Sequence, residues 1–235
     1  PYIVGPFKGA GLNFGGATLS PSAGWDILMV GLSTAGTVLW RHTAGGPGID
    51  AVVDTLVSPA NELVVAGYMM DAATLSFNLG EVSVVAISGA SDATGFVAKY
   101  TTGVYQWAQS AGSLDLPLGE TLDLGVTLGF SSGSLQLELD GAGNLYLNGT
   151  FAGATNPVFG GTGGTPLPWL GGTEVYLARY SLANGSRLWV RTGGSTSNDN
   201  AGILRLDAAG NAYIAGLFGM NFVSGLVDIV ASFGN

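Results

Sequence analysis

The sequence predicts an all-β chain built from short antiparallel strands, and three observations carry that prediction. Forty of the 235 residues are Gly, only 10% are charged while 47% are hydrophobic, and a set of strand motifs recurs in a fixed order along the chain. Average soluble domains carry about 25% charged residues and about 7% Gly, so this composition departs toward turn-rich β structure. The apolar share excludes general disorder, because a chain of this length can bury roughly 70% of its unfolded surface. Its size suits one all-β domain, since sandwiches and barrels of roughly 200 to 250 residues stay undivided.

The first motif is an apolar strand ending in Gly: Tyr2-Ile-Val-Gly5, Leu63-Val-Val-Ala-Gly67, Leu145-Tyr-Leu-Asn-Gly149 and Ala212-Tyr-Ile-Ala-Gly216. The second is Asp26-Ile-Leu-Met-Val-Gly-Leu32, Gly95-Phe-Val-Ala-Lys-Tyr100, Val175-Tyr-Leu-Ala-Arg-Tyr180 and Asp228-Ile-Val-Ala-Ser-Phe233. The third is Val38-Leu-Trp40, Tyr105-Gln-Trp107 and Leu188-Trp189, each followed by a Gly-rich corner. Ahead of the first motif, Leu135-Gln-Leu-Glu-Leu-Asp140 and Ile203-Leu-Arg-Leu-Asp207 alternate apolar and polar residues, the period of a half-buried strand. Asp140-Gly-Ala-Gly-Asn144 and Asp207-Ala-Ala-Gly-Asn211 then read as tight hairpin turns, with Ser58-Pro-Ala-Asn61 a weaker copy; Asp and Asn bond nearby backbone, and Gly tolerates positive φ. Ala35-Gly36, Gly103 and Asn184-Gly185 mark a second hairpin before each Trp strand.

Four short antiparallel strands per repeat, with no helix-period segment competing, is the pattern of a propeller blade. The expected fold is therefore a β-propeller of four-stranded antiparallel blades, about three and a half of them, in a single propeller domain or fragment over 1–235. The repeat copies fall at approximately 1–45, 46–111, 112–193 and 194–235, with three, four, four and three strands. Two copies of the chain then supply twenty-eight strands, equal to seven blades of four, so a twofold dimer closing one ring is an expectation of the strand arithmetic. The segment Tyr68 to Thr94 has room for an extra strand at Val82 to Ile87.

These motifs resemble the bacterial SBBP repeat of seven-bladed β-propellers, whose units run as an Asp-Gly-Asn turn, a Tyr-Val-x-Gly strand, an Asp-x-Phe-Val-Ala-Lys-Tyr strand and a Gly-x-x-x-Trp strand. The match covers most of the chain. It departs at Gly89 to Gly95, which replaces the expected aspartate, at Glu62 after Asn61, and at Ser113 to Gly133, an insertion. The resemblance implies a secreted or cell-surface bacterial protein, and that family offers no common activity.

A net charge of -9, with two Lys among seven basic residues, leaves no cationic stripe to release counterions from phosphates and argues against nucleic acid as a partner. No apolar run approaches the roughly 18 residues of a spanning helix, so no membrane span is expected. The absence of Cys excludes disulfides, thiolate zinc and a cysteine nucleophile. The opening at Pro1, without Met or a leader pattern, reads as a mature or trimmed product.

Candidate ligand-binding residues are Trp25, Trp169, Asp50 and Asp199. The two aspartates occupy equivalent positions, seventeen residues before Gly67 and Gly216, where a ring of carboxylates would suit Ca²⁺ or a sugar. The competing reading, preferred on turn chemistry, is that each caps the amides of its Gly-rich corner; the matching residue of the inserted copy is Ser132. Trp25 and Trp169 lie in or beside long loops next to Asp26 and Glu174 and offer flat amphipathic faces for sugar stacking, unless they seal their own loops. Trp40, Trp107 and Trp189 recur inside strands and read as packing residues. His42, the only His, has neither a serine elbow nor a second imidazole, and reads as structural. Arg41 and Arg191 do not make an anion clamp.

No catalytic or metal site is expected, no cofactor is required, and no enzyme is predicted. The leading expectation is a non-catalytic extracellular or cell-surface scaffold for surface attachment or assembly with other protein chains, including a homodimer that completes the ring. The alternative is a carbohydrate-binding, lectin-like propeller; a glycan-active hydrolase or lyase stands behind both, because accidental Asp and Glu pairs are expected in this composition.

Overall fold

The computed structural model describes residues 1–9, 11–19, 24–46, 48–70, 74–77, 82–85, 93–114, 135–152, 159, 167, 169–220 and 232–233. Among the described residues every regular element is a β-strand, as the sequence predicts. The chain divides into two compact units, Pro1–Ser110 and Ala111–Asn235.

The first unit runs through β1 (Tyr2–Phe7), β2 (Leu12–Phe14), β3 (Ala17–Leu19), β4 (Asp26–Leu32), β5 (Val38–Gly45), β6 (Asp50–Val57), β7 (Glu62–Met70), β8 (Thr74–Phe77), β9 (Val82–Val85), β10 (Ala93–Thr101) and β11 (Val104–Leu114), the last extending past Ser110. Its two main sheets have the orders β1-β4-β5-β8-β9 and β11-β10-β7-β6, while β2 and β3 pair with each other. The second unit adds β12 (Gln136–Leu139), β13 (Asn144–Ala152), β14 (Thr173–Ser181), β15 (Arg187–Gly194), β16 (Asn198–Leu206), β17 (Ala212–Met220) and β18 (Ser232–Phe233), in the orders β12-β13-β14-β15-β18 and β16-β17. Pairing is antiparallel throughout the named strands.

The middle strands are buried without alternation: Leu63 to Met69 on β7 and Leu145 to Ala152 on β13 are all buried. A strand hidden on both faces belongs to a sheet with a cover on each side. In the first unit one cover is explicit, since Ile27 and Met29 of β4 pack with Leu63 and Val65 of β7 and Phe96, Ala98 and Tyr100 of β10. The opposite face of the first sheet, Leu28 and Val30 on β4, lies under Leu12, Phe14 and Leu19 of the β2–β3 hairpin, which Arg41 fastens by donating from Nη1 to the carbonyls of Phe14 and Gly15. That hairpin is a cap, and its sequence gave no repeat signal.

The recurring Gly has a steric cause. A Cβ on Gly67 would overlap the Ala51 carbonyl, and one on Gly216 the Asn200 carbonyl, at the places where the pairing of β6 and β16 with these strands slips register. Gly5 has open space around it, because β1 is the edge of its sheet. The Asp-Asn turns repeat in detail. Asp140 Oδ1 accepts from the amides of Ala142 and Asn144 at 2.9 and 2.8 Å, and Asp207 Oδ1 from those of Ala209 and Asn211 at 2.9 and 2.8 Å. The weaker copy substitutes Ser58 Oγ, which accepts from the Glu62 amide, with Asn61 at φ 60°. Trp40 covers Gly31 and Gly103, whose missing Cβ atoms leave room for the indole. His42 is structural as expected: it stacks between Trp40 and Tyr100 with ring centres 5.4 and 6.0 Å away and hydrogen-bonds the Gly103 carbonyl.

One strand expectation fails. The two described residues of the predicted Asp228–Phe233 strand pair with β15, Ser232 opposite Gly194 and Phe233 opposite Gly193, and not with β17. They repeat the role of β8, which sets Ser76 opposite Gly45 and Phe77 opposite Ala44, and of Phe159, which bridges Ala111. Apolar resemblance to the second motif concealed a Ser-Phe clasp on the preceding outer strand. Among the described residues the sheets have five, four, five and two strands, with β2–β3 a further pair. The extra strand expected at Val82 to Ile87 is present as β9, Val82–Val85. The inserted stretch falls mostly outside the described residues, and Ser132 lies outside them.

Gly67→Ala and Gly216→Ala are each expected to cost about 2–4 kcal/mol, because backbone must move to admit the methyl group. Gly5→Ala is expected to stay within about 1 kcal/mol. Urea midpoints of the three variants check this ordering.

Candidate functional site

The candidate aspartates do not stand alone: Asp199 meets Glu174 over a glycine, and Asp50 feels the charge of Asp26. Hydrogen-bond register places Leu28 opposite Gly5, Phe96 opposite Gly67 and Tyr176 opposite Gly149, which makes Asp26, Thr94 and Glu174 equivalent, two residues earlier. Asp26 lies over Gly45 at the end of β5, and Glu174 over Gly194 at the end of β15; a Cβ on either glycine would collide with the carboxylate. Asp199 Oδ2 reaches the same point above Gly194 from the start of β16. Both glycines therefore clear space for acids that the corner folds inward.

At the first corner, Asp50 is fully buried and Asp26 only 4% exposed. The Gly46 amide donates to Asp50 Oδ2 at 2.7 Å, while Oδ1 has no hydrogen-bond partner among the described residues. Burial pushes the Asp50 carboxyl up to about 7, the Gly46 amide pulls against it, and the Asp26 charge adds to the rise. Its backbone N–H donates to the Trp25 carbonyl at 2.7 Å, tying the loop indole to the corner.

At the second corner, Asp199 is fully buried and Glu174 is 1% exposed. Asp199 Oδ2 accepts from the Ser195 amide and hydroxyl at 2.6 and 3.1 Å, and Oδ1 from the Gly219 amide at 2.6 Å. The Leu170 amide donates to Glu174 Oε1 at 3.0 Å. Burial raises the Glu174 carboxyl to about 7, the Leu170 amide opposes this, and the Asp199 charge adds to it. Both entering aspartates thus accept corner amides, which is the capping role, and both sit below the surface rather than facing solvent as a sugar-binding ring would.

The two candidate indoles differ. Trp169 is 41% exposed and spends its polar edge on the Gly172 carbonyl at 3.0 Å. Trp25 is half-buried, with Lys8 Nζ 5.8 Å from its ring centre. Among the described residues no three His, Cys, Asp or Glu side chains assemble as a metal site. Asn148-Gly-Thr150 and Asn184-Gly-Ser186 have the spacing of glycan acceptors, but Asn148 is fully buried and donates to the Gly202 carbonyl, and Asn184 caps its own turn by accepting from Ser186.

A second feature is a sheet face that is exposed at described residues of β16 and β17. Aligning on the repeat Gly, Val64, Ala66 and Tyr68 of β7 match Tyr146, Asn148 and Thr150 of β13 and Tyr213, Ala215 and Leu217 of β17. The first six are at most 4% exposed. On β13 they lie beneath β16, which supplies the Gly202 carbonyl to Asn148 and the Ala201 amide to Thr150 Oγ1. On β17, Tyr213 is 60% and Leu217 56% exposed, beside Ile203 of β16 at 54%.

No protein-family model matches the chain, and no curated protein matches it.

Asp199→Ala is expected to cost about 2–4 kcal/mol, because three hydrogen-bond donors lose their acceptor in a buried corner. Asp54→Ala, on a half-buried carboxylate that accepts from the Thr55 amide, is expected to cost less, about 1 kcal/mol. Thermal denaturation of the two variants checks the difference.

Proposed function

We propose that this chain is a non-catalytic assembly scaffold whose sheets are propeller-type blades, and that it joins other chains through the outer face of β16 and β17. The observation that carries the reading is the contrast at equivalent positions: buried on β7 and β13, more than half exposed at Tyr213 and Leu217. Sheets this apolar on both faces need two covers. The consecutive antiparallel order of β6-β7-β10-β11 and of β12-β13-β14-β15 supports the blade reading.

The occupant we assign to the open face is a second copy of this chain. On β13 the cover is the antiparallel pair β16–β17 of the following repeat, so the chemistry that suits the face is a sheet rather than a helix or a glycan. The first sheet is capped by its own β2–β3 hairpin. Ser232–Phe233 are engaged on β15. A copy therefore offers its own β16–β17 face, and a twofold contact of like with like results, centred on Ile203, Tyr213 and Leu217. A secreted or cell-surface setting, as the SBBP-like motifs imply, belongs to the same proposal.

Sedimentation velocity across a concentration series is expected to give a dimer. The double variant Tyr213→Lys, Leu217→Lys, altered only at exposed positions, is expected to sediment as a folded monomer. A wild-type monomer at 100-fold above the working concentration would contradict the reading, as would a dimer unaffected by both lysines.

A further inference from the structure

The strand edge left open at β1 is a feature that assembly through β16 and β17 does not use. Aligned on the repeat Gly, β1, β7, β13 and β17 are equivalent. β7 is flanked by β6, β13 by β12 and β17 by β16, whereas β1 ends its sheet and pairs, among the described residues, with β4 alone. The Leu32 amide donates to the Pro1 carbonyl at 2.9 Å, and bonded pairs alternate along an antiparallel ladder, so Ile3, Gly5 and Phe7 turn their backbone groups to β4. Those of Tyr2 and Val4 face the other way, with no ladder partner among the described residues. Pro6 shares that outward position, the place in an edge strand where a missing N–H costs no ladder bond.

The open edge borders a groove. It measures about 470 Å³ and lies between Tyr2, Ile3 and Val4 of β1 and Thr55 and Val57 of β6. The Tyr2 hydroxyl fastens β1 to the far wall by donating to the Asn61 carbonyl at 2.8 Å. The walls carry exposed apolar side chains: Ile3 is 42% and Val57 51% exposed, while Val65 and Leu147, which take the place of Ile3 on β7 and β13, are fully buried. An unpaired edge flanked by apolar side chains is a template for one more strand.

The equivalent strands define what fits. Opposite the places of Ile3 and Pro1, β12 sets Leu137 and Leu139 and β16 sets Leu204 and Leu206, with Glu138 or Arg205 between them opposite the place of Tyr2. Leu137 and Leu204 are 6% and 0% exposed. Each equivalent strand thus carries an antiparallel neighbour on this edge, and two of those neighbours share one pattern, Leu-charged-Leu. We propose that the β1 edge is a docking site for an extended segment of another protein, a strand with leucine at alternate positions that runs antiparallel to β1 and bonds through Tyr2 and Val4. The bound strand parts from β1 at Gly5 and Pro6, the level at which β6 and β16 slip register against their own partners. This surface is separate from that of Ile203, Tyr213 and Leu217, so the docking site does not depend on the dimer.

The probe is the peptide Leu-Gln-Leu-Glu-Leu-Asp, the sequence of residues 135–140, titrated into the wild-type chain and into the Tyr213→Lys, Leu217→Lys variant while amide hydrogen exchange is read by NMR. Saturating peptide is expected to slow exchange at the Tyr2 and Val4 amides about tenfold or more in both proteins, with β7 unchanged. N-methylation separates edge pairing from adhesion. A methyl group on the amide of the peptide's Glu, opposite Tyr2, is expected to abolish the protection; one on its middle Leu, opposite Ile3, points away from β1 and is expected to leave it. Equal protection by the two methylated peptides, or protection confined to other strands, would overturn the proposal. So would Tyr2 and Val4 amides that exchange slowly without peptide, or that do not respond to it at millimolar concentration. A chain that fails to dimerise but protects Tyr2 and Val4 in this pattern supports the docking site while contradicting the dimer.

Discussion

The constraint on which the rest of this structure depends is that its sheets are apolar on both faces. Leu63, Val64, Val65 and Ala66 are consecutive and essentially inaccessible, and no single layer can bury such a strand. At about 25 cal/mol per Å² of apolar surface, leaving one face wet costs several kcal/mol per sheet. Sheets of this kind come stacked, and the stack must be ended at each side. The β2–β3 hairpin ends it in the first unit; the face of Tyr213 and Leu217 is exposed.

Close stacking in turn explains the glycines and acids. Inner strands bulge onto Gly67 and Gly216, so the Cβ there is missing for want of space. Where one sheet passes to the next, the chain turns through a Gly-rich corner whose amides need acceptors, and Asp50 and Asp199 supply them from inside.

Much of this was legible in the sequence, for reasons that can be named. Strand motifs ending in Gly and the Asp-Asn turns recur because hydrogen-bond geometry recurs, so Gly67 and Gly216, Asp140 and Asp207 were paired correctly. Asp50 and Asp199 were found equivalent by their spacing from those glycines. Their partners were missed because the second motif was aligned on its apolar run, setting Val175 against Asp26, whereas the ladder sets Glu174 there. A one-residue slip exchanges the faces of a strand, and only register reveals it. Ser232–Phe233 was read as part of a strand beside β17 because Ser-Phe is too short a signal to distinguish a clasp from a strand end.

The measurement that bears most directly on this account is amide hydrogen exchange of β16 and β17 at low and high protein concentration. If their outer face is completed by a second copy, protection across 198–206 and 212–220 rises with concentration while that of β7 stays constant. Protection at β17 that is already high at the lowest concentration and does not change with it would contradict the claim.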